Sequence, residues 1–275
     1  MIVDAHLHVF LSKADDPDRT VDAIAPAERS APVELLEETM AAHGVDAAVL
    51  VPLGPEDGYV SDAVRRHPGR YAGIGVWDGE QDAGKVADRL AATGMRGLRM
   101  FGFPAGVPWA VLERLASDGS LLWLYPRPDD VEEVHEVCRR LPDLAVVLNH
   151  TGLTQGGIGV DDRLRPRIES DIPQPAEARI RGLAAYPNVS VILSGSYAFS
   201  HQPWPYPDLA GVTRRVVEAF GTERVMWASD FPWILDDPGY GRMLELVDQH
   251  LPGLSPTERA AVLGGNARRI VWEEE

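Results

Sequence analysis

A (β/α)8 barrel is the fold this sequence predicts, and three observations predict it. Eight short apolar segments alternate with eight helix-like ones along the chain. Most of the apolar segments are hydrophobic at every position, as strands of a parallel sheet covered on both faces must be. The connections are also asymmetric. Helix-to-strand links are short (43–46, 67–69, 141–143, 186–188), whereas the long ones, at about 9–31, 151–175 and 195–208, all leave strand C-termini. A barrel of this kind carries its site on the C-terminal face and its stability on the other.

The elements follow in order. Ile2–Val9 is the first strand, ahead of a loop containing Asp15, Asp16, Pro17 and Asp18. A helix is expected over 32–43, with Ser30 as N-cap and Gly44 as its stop. DAAVLV at 46–51 is a strand and 57–67 a helix. Strand 71–77, helix 81–93 and strand 95–100 come next, then helix 109–117, strand 121–125 and helix 129–141. AVVLN at 145–149 is a strand; a Gly- and Pro-rich loop then leads to helix 175–186. Strand 189–193, helix 209–220 and strand 225–228 precede a helical end, where Ser255-Pro-Thr-Glu258 forms a capping box with Pro at the first helical position.

Bulk properties narrow the class. The 275 residues fit one domain, 1–275, and 45% hydrophobic residues supply a core. A formal charge of −16 argues against nucleic acid and anionic membranes as partners, but leaves room for a small anionic substrate where arginines gather. The single cysteine, Cys138, shares a helical face with Val131, Val134 and Leu141 and is expected in the core. With no possible internal disulfide, no signal peptide and no run of eighteen apolar residues, a soluble cytoplasmic protein is expected. A homo-oligomer remains open, since outer barrel helices pair without a readable motif.

Chemistry concentrates at strand ends. In Asp4-Ala-His6-Leu-His8 the polar residues recur with a period of two, which places an acid and two imidazoles on one face of a buried strand. Burying them is costly unless a site uses them. Strand six ends in His150 and strand eight in Asp230, and barrel closure sets strand eight beside strand one. These four residues can hold a Zn²⁺-type ion with an open position for water. Alternatively, Asp230 takes a proton from water while the imidazoles polarise a carbonyl. Arg99, ending strand four, is the candidate anchor for a substrate carboxylate, with Arg127 beside it; Arg96 has the opposite parity and is expected to face the helices. The loop Ser194–Tyr206 is dense in aromatics and suggests a pocket wall, with His201 and then Trp233 as candidate site residues, although a structural loop or an oligomer contact explains it equally. His43, His67, His135 and His250 lie in or beside helices and are expected at the surface.

Several stretches, in order, resemble one family: DAHLH at 4–8, YAGIGV at 71–76, GMRGLRM at 94–100, LNHTG at 148–152, SVILSG at 190–195, RVMWASDFP at 224–232 and VLGGNARRI at 262–270. Together they are similar to the amidohydrolase-related group of the amidohydrolase superfamily, which holds lactone hydrolases and zinc-dependent decarboxylases. The resemblance implies a distorted (β/α)8 barrel and a site built on His6, His8, His150 and Asp230. Metal-binding members commonly place a histidine where this chain has Tyr125. A tyrosine there resembles the metal-independent lactone hydrolases, in which a phenol helps bind substrate. Ile192 replaces a lysine frequent on strand seven, and no HisGlyGly follows strand six. The expected function is hydrolysis of a small cyclic ester or related carboxylate-bearing compound. Asp230 and His150 would carry the chemistry, with Arg99, Tyr125, Arg127 and His201 binding substrate. The metal, if used, is divalent, with Zn²⁺ first, on His6, His8, His150 and Asp230. The alternatives are a zinc-dependent decarboxylase of a conjugated or aromatic acid, and a barrel that only binds.

Overall fold

The computed structural model describes residues 1–273. The strands are β1 (Val3–Leu7), β2 (Ala47–Leu50), β3 (Tyr71–Gly73), β4 (Gly75–Val76), β5 (Gly97–Met100), β6 (Leu121–Leu124), β7 (Val146–Leu148), β8 (Gly157–Val160), β9 (Pro166–Glu169), β10 (Val189–Leu193) and β11 (Val225–Trp227). All but β8 and β9 pair in parallel, in the order β1-β2-β3 and β4-β5-β6-β7-β10-β11. β3 and β4 are the expected strand 71–77, divided at Ile74, where pairing passes from β2 to β5. The ring closes after β11: the Asp230 N–H donates to His6 O (3.1 Å) and the His8 N–H to Phe231 O (2.8 Å). The eightfold barrel is therefore present, with a weak seam between its first and last strands.

The helices are α1 (Val33–His43), α2 (Gly58–Arg66), α3 (Ala83–Thr93), α4 (Trp109–Ser117), α5 (Val131–Arg140), α6 (Glu177–Gly182), α7 (Ser196–Phe199), α8 (Pro207–Phe220), α9 (Tyr240–His250) and α10 (Pro256–Ala260). α1 stops at Gly44, whose φ of 66° suits a residue without Cβ and whose N–H turns back to the Met40 and Ala41 carbonyls. Its start differs from expectation. Ala31 is bridged to Phe10 and Pro32 is extended, so the helix begins at Val33 without a side-chain cap, and Ser30 lies outside it. The Ser255–Glu258 capping box forms in both directions. The expected helix 175–186 is shorter, α6 followed by a 3-10 turn at Leu183–Ala185.

Two apolar clusters divide the core. Val3, Ala5, Val49, Ile74, Trp123 and Ile192 fill the barrel, while Leu50, Leu98, Leu122, Val191 and Trp227 pack outward with the helices. Cys138 belongs to the outer cluster, and burial pushes its thiol up to about 12, which fits a packing role. Of the helix histidines, His43 is exposed and His67 and His135 are half-buried. His250 corrects the expectation of a surface position. It is buried, pairing with Thr213 Oγ1 (3.2 Å) and Pro205 O (2.7 Å).

β1 departs most instructively from a regular strand. Its register to β2 runs Val3↔Ala47, Asp4↔Ala48, Leu7↔Leu50, three residues of β1 advancing against two of β2. The extra residue is a bulge, and it reverses the facing of everything after it. Asp4 accordingly does not share a face with His6 and His8, as strict alternation predicts. Its Oδ2 accepts from Tyr240 O–H on α9 (2.7 Å) and its Oδ1 from Ser229 N–H (2.9 Å), while His6 and His8 turn inward. Asp4 thus ties β1 to both the chain after β11 and an outer helix, across the seam.

Burial raises the Asp4 carboxyl to about 6, above its unfolded value. The sign follows: its stabilising contribution is complete below the unfolded pKa and is lost as pH rises through about 6. Above that pH the buried anion depends on its donors. Tyr240→Phe should therefore cost about 1–3 kcal/mol at pH 8 and clearly less at pH 5, measured by urea unfolding at both pH values. An equal loss at both would show that the hydroxyl does not serve the ionised carboxylate.

Candidate active site

One cavity of about 240 Å³ opens at the C-terminal end of the strands, where the long connections gather. Its polar wall is His8, Arg99, Tyr125, His150, Tyr197 and Asp230. His6 is fully buried one layer below, with its ring 5.0 Å from that of His8 and 5.5 Å from that of His150. Seven of the nine candidate site residues thus converge, Trp233 among them. Arg127 and His201 are not among the lining residues: His201 is exposed, its ring bonded to Ser170 O (2.9 Å). Trp233 lines the cavity, with the Arg29 guanidinium over its ring at 4.6 Å.

Backbone geometry sets two of the key groups. His150 and Asp230 sit at φ of 51° and 63°, in the left-handed region that non-glycine residues avoid at a cost of order 1–3 kcal/mol each. The strand ends are bent there to aim both side chains into the mouth. Gly195, at φ 71°, backs this arrangement: a Cβ on it would lie 2.7 Å from His150 Nδ1, so only glycine leaves the imidazole its place.

Hydrogen bonds fix the proton positions on two imidazoles in opposite senses. The Trp123 indole N–H can only donate, and it donates to His6 Nδ1 at 3.1 Å. Neutral His6 therefore carries its proton on Nε2. That atom is buried without a hydrogen-bond partner, 3.8 Å from Asp230 Oδ1. His8 is the reverse. Its Nδ1 lies 2.9 Å from Val51 O, which can only accept, so Nδ1 holds the proton and Nε2 presents a lone pair 3.7 Å from Asp230 Oδ1. His150 Nδ1 faces Ser194 Oγ at 3.0 Å, and the direction of that bond follows the turn of the hydroxyl.

Electrostatics keeps all three rings neutral. Burial first, then the Arg99 charge, hold His6 and His150 well below the usual range and His8 at about 3. Asp230 is raised to about 6 by burial, opposed by the Tyr197 O–H donating to Oδ2 (2.7 Å) and by Arg99. Arg99 is itself lowered to about 10 by burial, with Asp230 and the two tyrosines pulling it back, so it is cationic at neutral pH. Its Nε has no partner, its guanidinium stacks on Phe101 at 4.5 Å, and it forms no ion pair among the described residues. Arg96, of the other parity, bonds Val271 O and Glu273 near the chain's end, away from the cavity.

His6, His150 and Asp230 bring one potential ligand atom each within 4.8 Å of one another, the one such group among the described residues. On spacing they fit a divalent ion. On protonation they do not, since the Trp123 bond puts a proton on the His6 nitrogen that a metal would need. The Arg99 charge, which adds to burial in depressing the three histidines, also opposes a second cation.

Tyr197 and Trp123 are the residues that sequence reasoning passed over. Tyr197 lies in the aromatic loop that drew attention to His201, but close behind Ser194, at the strand end. Trp123 shares the parity of Tyr125 on β6, so alternation alone sets it one layer beneath the cavity.

A family model described as amidohydrolase matches residues 3–271, and the chain belongs to the amidohydrolase family. It is 30% identical to an L-fucono-1,5-lactonase from Burkholderia ambifaria, over 96% of this chain and 93% of that one. Among solved structures it is similar to one from Pseudomonas putida named provisionally as a 2-pyrone-4,6-dicarboxylic acid hydrolase (TM-score 0.78, 24% identity, 100% and 98% covered). It is also similar to an amidohydrolase from Burkholderia multivorans with bound zinc (TM-score 0.74, 23% identity, 99% of each chain). These likenesses establish the barrel. No helix of the described residues is long and apolar enough to cross a membrane.

A buried carboxylate held above its ordinary pKa destabilises the fold it serves, so Asp230→Asn should stabilise the protein above pH 6, by on the order of 1–3 kcal/mol at pH 8. The sign is fixed by the raised pKa: below about pH 4 the wild-type carboxyl is protonated and the gain disappears. Thermal melts of both proteins across pH check this. A variant less stable at pH 8 would mean that Asp230 is held as a satisfied structural anion.

Proposed function

We propose that this amidohydrolase opens a small carboxylate-bearing lactone by metal-independent general-base catalysis on Asp230. The observation that supports this most is the opposed protonation of His6 and His8 about one carboxylate oxygen. A water at Asp230 Oδ1 can give one hydrogen to the carboxylate and the other to the His8 Nε2 lone pair, which points its oxygen at the substrate.

The steps balance without an external acid. Asp230 takes a proton as the water oxygen bonds to the lactone carbonyl carbon. The carbonyl oxygen becomes an oxyanion within the field of Arg99, with the positive end of the partnerless His6 Nε2–H dipole in the layer beneath. When the C–O ring bond breaks, the leaving alkoxide takes back the proton held by Asp230, and a hydroxy acid is released. The histidines titrate far too low to be the proton donors at neutral pH, which leaves the Asp230 carboxyl as the group that cycles. Tyr197 holds Asp230 in orientation, and Tyr125, kept neutral by burial, contributes an O–H on the wall beside Arg99. Arg99 receives the substrate carboxylate. A zinc-dependent decarboxylase would instead need the metal on His6.

Activity should follow the ionised form of Asp230. kcat/KM for lactone opening should fall on the acid side with an apparent pKa near 6, and no further loss tracking a histidine should appear toward pH 8. Asp230→Asn should lower kcat at least about 100-fold, and chelator should leave the wild-type rate unchanged. Carbon dioxide release from an aromatic acid, abolished by chelator, would replace this function with decarboxylation.

A further inference from the structure

The wall opposite the polar cluster is different in kind. The expected loop 151–175 contains an antiparallel ribbon, β8 paired with β9, in register Ile158↔Ile168 and Val160↔Pro166. Cross-strand partners share a face, and all four of these residues line the cavity. On the alternate positions, Arg167 ties the ribbon down by donating to Tyr197 O and Ser200 O. The apolar face is thus held over the cavity, although Ile158 is 56% exposed. Ile24, Phe101, Phe199 and Trp233 continue this surface around the mouth. The one acid on this side, Asp22, already accepts from the N–H groups of Ile24 and Ala25 through Oδ1.

We infer that the substrate is a lactone with an apolar alkyl or aryl body and a single carboxylate, rather than a polyhydroxylated sugar lactone or a dicarboxylate. This rests on the lactonase reading above and names its substrate class. The carboxylate goes to Arg99, the one cation on the lining. A second carboxylate finds no partner there, and being desolvated without one is strongly unfavourable. A hydroxyl pressed against Ile158, Ile168 or Phe199 loses its water bonds without replacement, which costs on the order of tenfold in kcat/KM for each such group. The apolar body meanwhile covers side chains that the free protein leaves exposed to solvent.

The test compares four δ-lactones on the whole protein: an aryl-substituted monocarboxylic acid, its methyl ester, a dicarboxylate analogue and a hexonolactone. Binding of the same compounds to Asp230→Asn is measured by calorimetry. The monoacid should be turned over at least about 100-fold faster than the sugar lactone in kcat/KM, two unmatched hydroxyls' worth, and should outrank both its ester and the dicarboxylate. Ile158→Asn, a change at an exposed position, should narrow that gap. A sugar lactone or dicarboxylate hydrolysed as well as the monoacid overturns the substrate class and leaves lactone hydrolysis standing. A monoacid that binds tightly and selectively but is never opened keeps the class and overturns the reaction. No selective binding of the monoacid overturns the class as well.

Discussion

A single hydrogen bond across the barrel, from the Trp123 indole to His6 Nδ1, decides what the site can be. Because the indole only donates, it assigns the imidazole proton to the nitrogen facing Asp230. Of the three side chains at metal-ligand spacing, His6 then serves as a donor and Asp230 as the base in the proposed reaction. The Val51 carbonyl does the converse for His8, and the two rings present opposite faces to one carboxylate oxygen. Burial, with the Arg99 charge added to it, holds these histidines in the neutral form for which such an assignment has meaning.

The barrel carries the cost of this arrangement. Asp4 and Asp230 are both buried with raised pKa values, and His150 and Asp230 are both in left-handed backbone. Asp4 and Asp230 gather where β1 meets the chain after β11, a junction made by a few bonds instead of a continuous ladder, while His150 lies just past the end of β7. The β1 bulge belongs to the same economy of space. It lets one short strand send Asp4 outward to lock the seam and His6 and His8 inward to the site.

Much of this is legible in the residues. Strand-like runs apolar at every position, and long connections confined to one end, specify the barrel because parallel strands are covered on both faces. HxH, LNHTG and SDFP mark the strand ends that converge, and Arg99 follows from its position. What escaped has physical causes. A bulge adds a residue without any signature in composition, so Asp4 was grouped with the wrong face. The ribbon at 157–169 is too short and too rich in Gly, Pro and charge to show a strand period, yet it supplies the apolar half of the cavity. His250 satisfies its polarity on Thr213 and a backbone carbonyl, partners that no local pattern reveals.

The most direct examination of the central claim is the protonation of the imidazoles themselves, read from the nitrogen shifts and two-bond proton couplings of the histidine rings in ¹⁵N-labelled protein at pH 7. Trp123→Phe serves to assign His6. The account predicts two neutral rings of opposite type, His6 protonated on Nε2 and His8 on Nδ1, with His6 losing its fixed form in Trp123→Phe. A His6 ring protonated on Nδ1 in the wild type would contradict it, because Nε2 would then be free to bind a metal and the neutral donor beneath the oxyanion would not exist.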